Sequence, residues 1–366
     1  MKITDIKCYV LPHVAGRPRF HWRKGLPGDG DGTPPGETTY YALVRVDTDE
    51  GYIGHAGGNG YRVADIVRRR LKREFVGLNP LNTEDLWHRI WELDRLEEFQ
   101  IHDLGILDIA CWDIKSQVAK LPLYKLLGGN NPKVPAYAST VTWDTMEEYE
   151  RHIKECRDEG FFAFKLHASG DPKWDAKLAH NLRKWVGDDA DLMFDASAGW
   201  DYVTSLWFGR QLEDAGFLWY EEPMREYDLP SYAELCAALD IPILGAETCE
   251  GAHWNMATWI QQRALDMVRI STAKGGYTGA LKIAHLAESF GMRAQVHGAD
   301  PHLCAAVPNN DYCEILVINT EQIKELKVTG AGQPRVVDGY ITVSDDLGTG
   351  PQPDWAEVER RAVLVV

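Results

Sequence analysis

From about residue 134 onward, short apolar runs alternate with amphipathic stretches. The runs are "VPAYAST", "FFAFKLHA", "DLMFDAS", "GFLWYEEP", "IPILGAE", "LDMVRIST", "MRAQVHG" and "YCEILVI". Between them lie segments such as "DPKWDAKLAHNLRKWVG" and "TGALKIAHLAESFG". In the second of these, Ala280, Ile283, Ala284, Ala287 and Phe290 recur at helical spacing. Eight near-continuous apolar strands with intervening helices predict an α/β fold, a parallel β/α barrel of the TIM type. Residues 1–60 read differently. Two strand-rich stretches, "KITDIKCYVL" and "TYYALVRVDTDEGYIGHAG", flank a Gly/Pro-rich segment from about 15 to 38, and the second stretch turns at Asp49-Glu50-Gly51. Residues 82–128 predict helices. One is capped by Asn82 or Thr83; the other carries Leu104, Leu107, Cys111 and Ile114 on one face and stops at Gly128-Gly129. The tail, "RVVDGYITVSDDLGTG", returns to strand-and-turn character and is expected to pack back onto the N-terminal region.

At 366 residues the chain exceeds one ordinary core. The expected division is 1–130, 131–320 and a C-terminal segment 321–366. A net charge of -16 argues against a nucleic-acid partner, which requires a basic face. No run approaches the roughly 18 apolar residues of a membrane span, and "MKITDIKCYV" lacks a signal peptide's apolar core. The seven cysteines are scattered without a CxxC pair, as expected of reduced thiols. A cytoplasmic enzyme acting on a small molecule, with no nucleic-acid or membrane partner, is the expectation.

Polar residues gather where the predicted barrel strands end. Lys165 and His167 close the second strand, Asp195 the third, Glu221 and Glu222 the fourth, Glu247 the fifth and His297 the seventh. Barrel active sites lie at that rim. Lys165 and His167 are two apart and share one face of their strand. Asp195, Glu221 and Glu247 follow one another at intervals of 26 residues, so three successive strands would aim three carboxylates at one point. Like charges that close repel. A hard divalent cation resolves the conflict, and an all-oxygen donor set suits Mg²⁺. The alternative for each acid is a helix cap or a local base, and Glu222, facing away from Glu221, is expected to pair with a lysine. A metal-held carboxylate substrate would place its α-proton between Lys165/His167 and His297. Otherwise His297 is a capping or core histidine, and the Lys165/His167 pair neutralises an anion without moving a proton. In the 15–38 segment, Arg17, Arg19, His21, Trp22 and Arg23 form a basic-aromatic cluster, read either as a solvated loop or as a lid over an anionic substrate.

The motifs "GILDIACWDIKSQVAKLPLYKLLGG", "FKLH", "FDAS", "WYEEP", "GAET", "KGGYTGALKIAHLAESFG" and "VHG" stand in an order that resembles the enolase superfamily, close to its mandelate racemase branch. The resemblance implies an N-terminal α+β capping domain, completed by the C-terminal segment, over a modified (β/α)8 barrel. It implies one Mg²⁺ per subunit on Asp195, Glu221 and Glu247, and abstraction of the proton α to a carboxylate. It makes 15–38 the specificity loop, with His21, Trp22 and Arg23 against the substrate, and Glu314 in "DYCEIL" the eighth-strand acid that hydrogen-bonds the enediolate. A homo-oligomer is the family's habit. Two departures stand out. His167 occupies the place of the family's catalytic lysine, leaving the base as His167 or Lys165. Counting back from Gly275-Gly276, Ile270 stands where an aspartate normally orients His297, and Arg269 and Lys274 flank that gap as further substrate contacts. The reading is an acid-sugar dehydratase giving a 2-keto-3-deoxy acid, with His297 assisting loss of the β-hydroxyl. A racemase, epimerase or lactone cycloisomerase is the alternative, and a retired binding scaffold a third.

Overall fold

The computed structural model describes residues 1–14, 23, 36–97, 101–247, 249–318 and 335–366. His21 and Trp22, with most of the 15–38 segment, lie outside the described residues. The N-terminal unit is an antiparallel sheet of β1 (Ile3–Val14), β2 (Thr38–Thr48) and β3 (Ile53–Asn59), with β2 and β3 joined at the predicted turn. Its inner face packs on the helices Thr83–Glu97 and Ile101–Ala119 through a core including Val44, Trp87, Leu107, Cys111 and Ile114.

The second unit holds eight parallel strands: β4 (Lys133–Thr140), β5 (Ala163–His167), β6 (Asp191–Asp195), β7 (Trp219–Glu221), β8 (Ile243–Gly245), β9 (Met267–Ile270), β10 (Arg293–Val296) and β11 (Cys313–Val317). Each of the eight apolar runs contributes one. The ladder runs β10-β9-β8-β7-β6-β5-β4-β11, and among the described residues β10 and β11 do not pair as strands. The residues before β11 span that seam instead. The Asn309 carbonyl accepts from the Ala294 amide, Asn310 Oδ1 from the Val296 amide and Asp311 Oδ2 from Gln295 Nε2.

The tail divides between the two units. β12 (Tyr340–Thr342) lies antiparallel to β4, and β13 (Leu364–Val365) adds to β1 as the sheet's outer strand. The units meet tightly where the helix Ile101–Ala119 crosses the start of the helix Gly276–Ser289. A Cβ on Gly105 would stand 2.6 Å from the Gly276 amide nitrogen, so the closest approach requires a glycine. Asp108 from the first helix accepts from the Thr278 amide at 3.0 Å and the Thr278 hydroxyl at 2.6 Å, across the two units. On the second helix Ala280, Ile283, Ala284 and Ala287 are buried as their spacing predicts, whereas Phe290 is 54% exposed. Phe290 is the C-cap, and its backbone (φ -105°, ψ 9°) has left the helical path.

Strand alternation sorts the barrel side chains. Tyr137, Ala163, Met193, Trp219, Leu244 and Met267 fill the lower interior, while Phe164, Leu166, Phe194, Val268 and Ile270 face the outer helices. Two residues beyond each interior residue, the next side chain must also point inward. After Ala163, Met193, Trp219 and Met267 that next residue is charged; after Tyr137 and Leu244 it is Ser139 and Ala246.

Candidate active site

Lys165 follows Ala163, Asp195 follows Met193, Glu221 follows Trp219 and Arg269 follows Met267, so the apolar plug carries a charged layer above it. Nζ of Lys165 is 2.9 Å from Glu221 Oε2, 3.0 Å from Glu314 Oε1 and 3.6 Å from Asp195 Oδ2. Burial alone would depress this amine, but the Glu221 and Glu314 carboxylates outweigh it and hold the ammonium well above its ordinary range. Lys165 is therefore a fixed cation. His167, one step higher, donates from Nδ1 to the Thr140 carbonyl and brings Nε2 to 3.3 Å from Asp195 Oδ2. The carbonyl can only accept, so it assigns a proton to Nδ1, and Nε2, which faces the Asp195 carboxylate, is the nitrogen that takes or gives up the second proton. Of the two residues left open by the sequence, His167 is the one whose ring is oriented by a backbone carbonyl.

Asp195 is also buried, yet His167 and Lys165 keep its carboxyl below the usual carboxylate range. Arg269 is sealed inside the barrel and donates from Nη2 to Glu314 Oε2 at 2.6 Å. Glu314 accepts further from the Gly298 amide at 2.9 Å. Burial opposes its charge, but Lys165 and Arg269 prevail and hold it well below the ordinary value. An ionised carboxylate only accepts hydrogen bonds. Glu314 thus anchors two cations at the barrel mouth.

His297 is not without a carboxylate. Its Nδ1 lies 3.0 Å from Glu247 Oε1, so the orienting acid comes from the fifth barrel strand's end instead of the sixth. Ile270 could not have served, because alternation turns it into the outer core. Ser271, the next inward position, accepts from the Ala273 amide. Glu222 also departs from expectation. It sits in the left-handed region at φ 42°, and its Oε1 accepts from the Glu247 amide at 3.1 Å. Burial, then Glu247, Glu226 and Asp195, push its carboxyl well up. Lys274 lies in the loop after β9 with its Nζ buried and without a hydrogen-bond partner, its pKa depressed by burial. Arg23 reaches the Ser197 carbonyl at 3.4 Å, beside the end of β6, which brings one residue of the basic-aromatic loop to the barrel mouth.

The helix-cap alternative for the acid trio is settled by other residues. Asp171, Asp201, Asp228 and Asp300 cap the helices after β5, β6, β7 and β10 with their own side chains. Asp195, Glu221 and Glu247 are left facing the interior. Among the described residues, no group of three or more His, Cys, Asp or Glu side chains is gathered closely enough to hold a metal as it stands. The reason is visible: Lys165 and Arg269 lie between the acids as counter-charges. The donor chemistry still fits a hard divalent cation. Three carboxylate side chains project from neighbouring strand ends, and Glu221 Oε1 is buried with no hydrogen-bond partner.

Two family models match the chain: the Enolase C-terminal domain-like model over residues 148–358 and the Mandelate racemase / muconate lactonizing enzyme N-terminal domain over 32–128. The crystal structure of D-glucarate dehydratase from Agrobacterium tumefaciens complexed with magnesium is similar at a TM-score of 0.88 and 30% identity, covering 100% of both chains. L-talarate/galactarate dehydratase of Salmonella typhimurium is 32% identical over 311 residues, 82% of this chain and 75% of its own. D-galactarolactone cycloisomerase of Agrobacterium fabrum is 27% identical over 325 residues, 84% of this chain and 82% of its own. No helix among the described residues is long and apolar enough to cross a membrane.

Proposed function

Because the chain belongs to the enolase superfamily, in its mandelate racemase/muconate lactonizing enzyme branch, we propose that it is a Mg²⁺-dependent acid-sugar dehydratase. The observation that carries the reading is the inward pair on β5: a permanent ammonium at Lys165 and an oriented imidazole at His167. Asp195, Glu221 and Glu247 would hold one Mg²⁺ beside the cations that contact them, Lys165 and Arg269. Mg²⁺ supplies the positive charge that acidifies the proton α to a carboxylate.

His167 Nε2 takes that proton, and the C–H electron pair moves into the carboxylate to give an enediolate. Lys165, beside Glu221 and Glu314, faces the charge that develops there. His297, oriented through Nδ1 by Glu247, presents Nε2 as the acid that protonates the β-hydroxyl. The β C–O bond breaks, water leaves, and the enol tautomerises to a 2-keto-3-deoxy acid. Arg23, beside the end of β6, takes the polar end of the substrate; Lys274, buried without a hydrogen-bond partner, is a second group for the same purpose.

One observation favours a second reading. With Glu247 beside it, His297 is built like a base, and bases on both faces are what racemisation or epimerisation requires. A panel of aldonic and aldaric acids assayed with Mg²⁺ for 2-keto acid separates the two: dehydration consumes the β-hydroxyl, whereas epimerisation only exchanges the α-proton. Asp195→Asn is expected to abolish turnover, and wild-type turnover by that variant would sink the metal-assisted reading. His167→Ala is expected to lose solvent-deuterium exchange at Cα; undiminished exchange would remove His167 as the base.

A further inference from the structure

Three acids arranged for a dissociable cation do not need a permanent one, yet Arg269 is permanent: its guanidinium stays charged at any working pH. It is 2% exposed and held from three sides. Nη2 donates to Glu314 Oε2 at 2.6 Å and to the Tyr137 hydroxyl at 3.1 Å, while Nη1 donates to the Val296 carbonyl at 3.2 Å. These bonds fix the plane of the group and leave Nε aimed at the acid trio. Nε stands 2.8 Å from Glu221 Oε1 and 3.7 Å from Glu247 Oε2. The closer contact is off axis, since Nε and Glu221 Oε1 are each buried without a hydrogen-bond partner. The guanidinium therefore faces two of the three carboxylates as a charge, without being bonded to them as a fork.

We propose that Arg269 is a resident counter-ion of the metal site. It holds Glu221 and Glu247 together when no divalent cation is bound, and it weakens the hold on Mg²⁺ because the arriving ion must share two ligands with a fixed positive charge. The first half stands on the contacts of this chain alone. The second rests on the assignment of Asp195, Glu221 and Glu247 as the Mg²⁺ ligands.

The test is Mg²⁺ titration calorimetry, with thermal unfolding in EDTA and in Mg²⁺, on the wild type and on Arg269→Met. The wild type is expected to unfold only a few degrees lower in EDTA than in Mg²⁺, the small gain that Mg²⁺ binding itself brings. Arg269→Met is expected to lose stability in EDTA, regain it in Mg²⁺, and bind Mg²⁺ on the order of tenfold more tightly, the scale of one removed like-charge contact. A wild-type midpoint that drops by more than about 10 °C in EDTA overturns the first half. Equal affinities in the two proteins overturn the second half while leaving the metal assignment in place. If neither protein binds Mg²⁺, the metal assignment and the second half fall together. Should Arg269→Met not fold, Arg269→Lys keeps the charge and is expected to bind Mg²⁺ within about threefold of wild type. A tenfold gain with the charge retained counts against the proposal.

Discussion

Asp108 and Glu314 are both sealed from solvent, at 1% and 6% exposure, yet their surroundings drive them in opposite directions. Asp108 sits at the seam between the two units, where its hydrogen-bond partners are the amide and hydroxyl of Thr278. Burial outweighs those bonds and pushes its carboxyl up to about 7. Glu314 sits in the barrel mouth against Lys165 and Arg269, and their charges overcome burial. Neutral donors satisfy the lone pairs of a buried acid but do little for its charge. The seam is joined by hydrogen bonds and close packing. The mouth is held by ions, and ions are what a reacting carboxylate and its proton can address.

The comparison can be broken most forcefully at Lys165. Lys165→Met leaves Glu221 and Glu314 with Arg269 as their one remaining shared cation, and losing one partner of a buried ionic network costs about 3–5 kcal/mol. Urea unfolding measures it, and a change under about 1 kcal/mol would mean that the mouth is not held ionically.

Asp108 gives the next largest effect, with a defined sign. Its folded pKa is raised above the unfolded value, so the folded state binds more protons between about pH 4 and 7, and this group's contribution to stability falls as pH rises through that window. The span is roughly 4 kcal/mol, from a pKa displaced by about three units. Asp108→Asn keeps an acceptor for the Thr278 amide and cannot ionise. It should flatten the stability profile between pH 5 and pH 8, and a profile as steep as the wild type's would show that Asp108 is not its source. The smallest effect belongs to Lys282→Ala. The Lys282–Glu84 pair, 2.6 Å apart, also links the two units, but Glu84 is 65% exposed, and such a pair contributes less than about 1 kcal/mol. A larger loss by urea unfolding would mean that the seam depends on charge after all.

The barrel was legible because its strands are buried on both faces and read as eight apolar runs. The facing of Lys165 and His167 followed from a period of two, which any strand obeys. The even spacing of Asp195, Glu221 and Glu247 placed three acids at one rim, because one β/α unit separates each from the next. What was missed came from treating motif position as facing. Counting from Gly275-Gly276 found Ile270 where an aspartate would orient His297 and took Arg269 only as flanking that gap. The alternation Met267, Arg269 against Val268, Ile270 would have marked Arg269 as the inward side chain. The Glu247 partner of His297 and the contact of Glu222 with the Glu247 amide depend on how the loops after β7 and β8 fold over the rim. Such pairings join separate strands, and neither spacing nor composition reports them.

Eight strands make a hoop, and this hoop has a gap in its backbone weave between β10 and β11. The lower part of the gap is laced by Asn309, Asn310 and Asp311. At the top the fastening is Arg269, which grips the Val296 carbonyl with one nitrogen and Glu314 with another, while Gly298 reaches Glu314 from β10's far end. The clasp of the hoop and the ionic machinery of the mouth are the same atoms. Any tuning of the chemistry through Arg269 or Glu314 therefore also tunes how firmly the ring is shut, and variation at these two positions is constrained twice over.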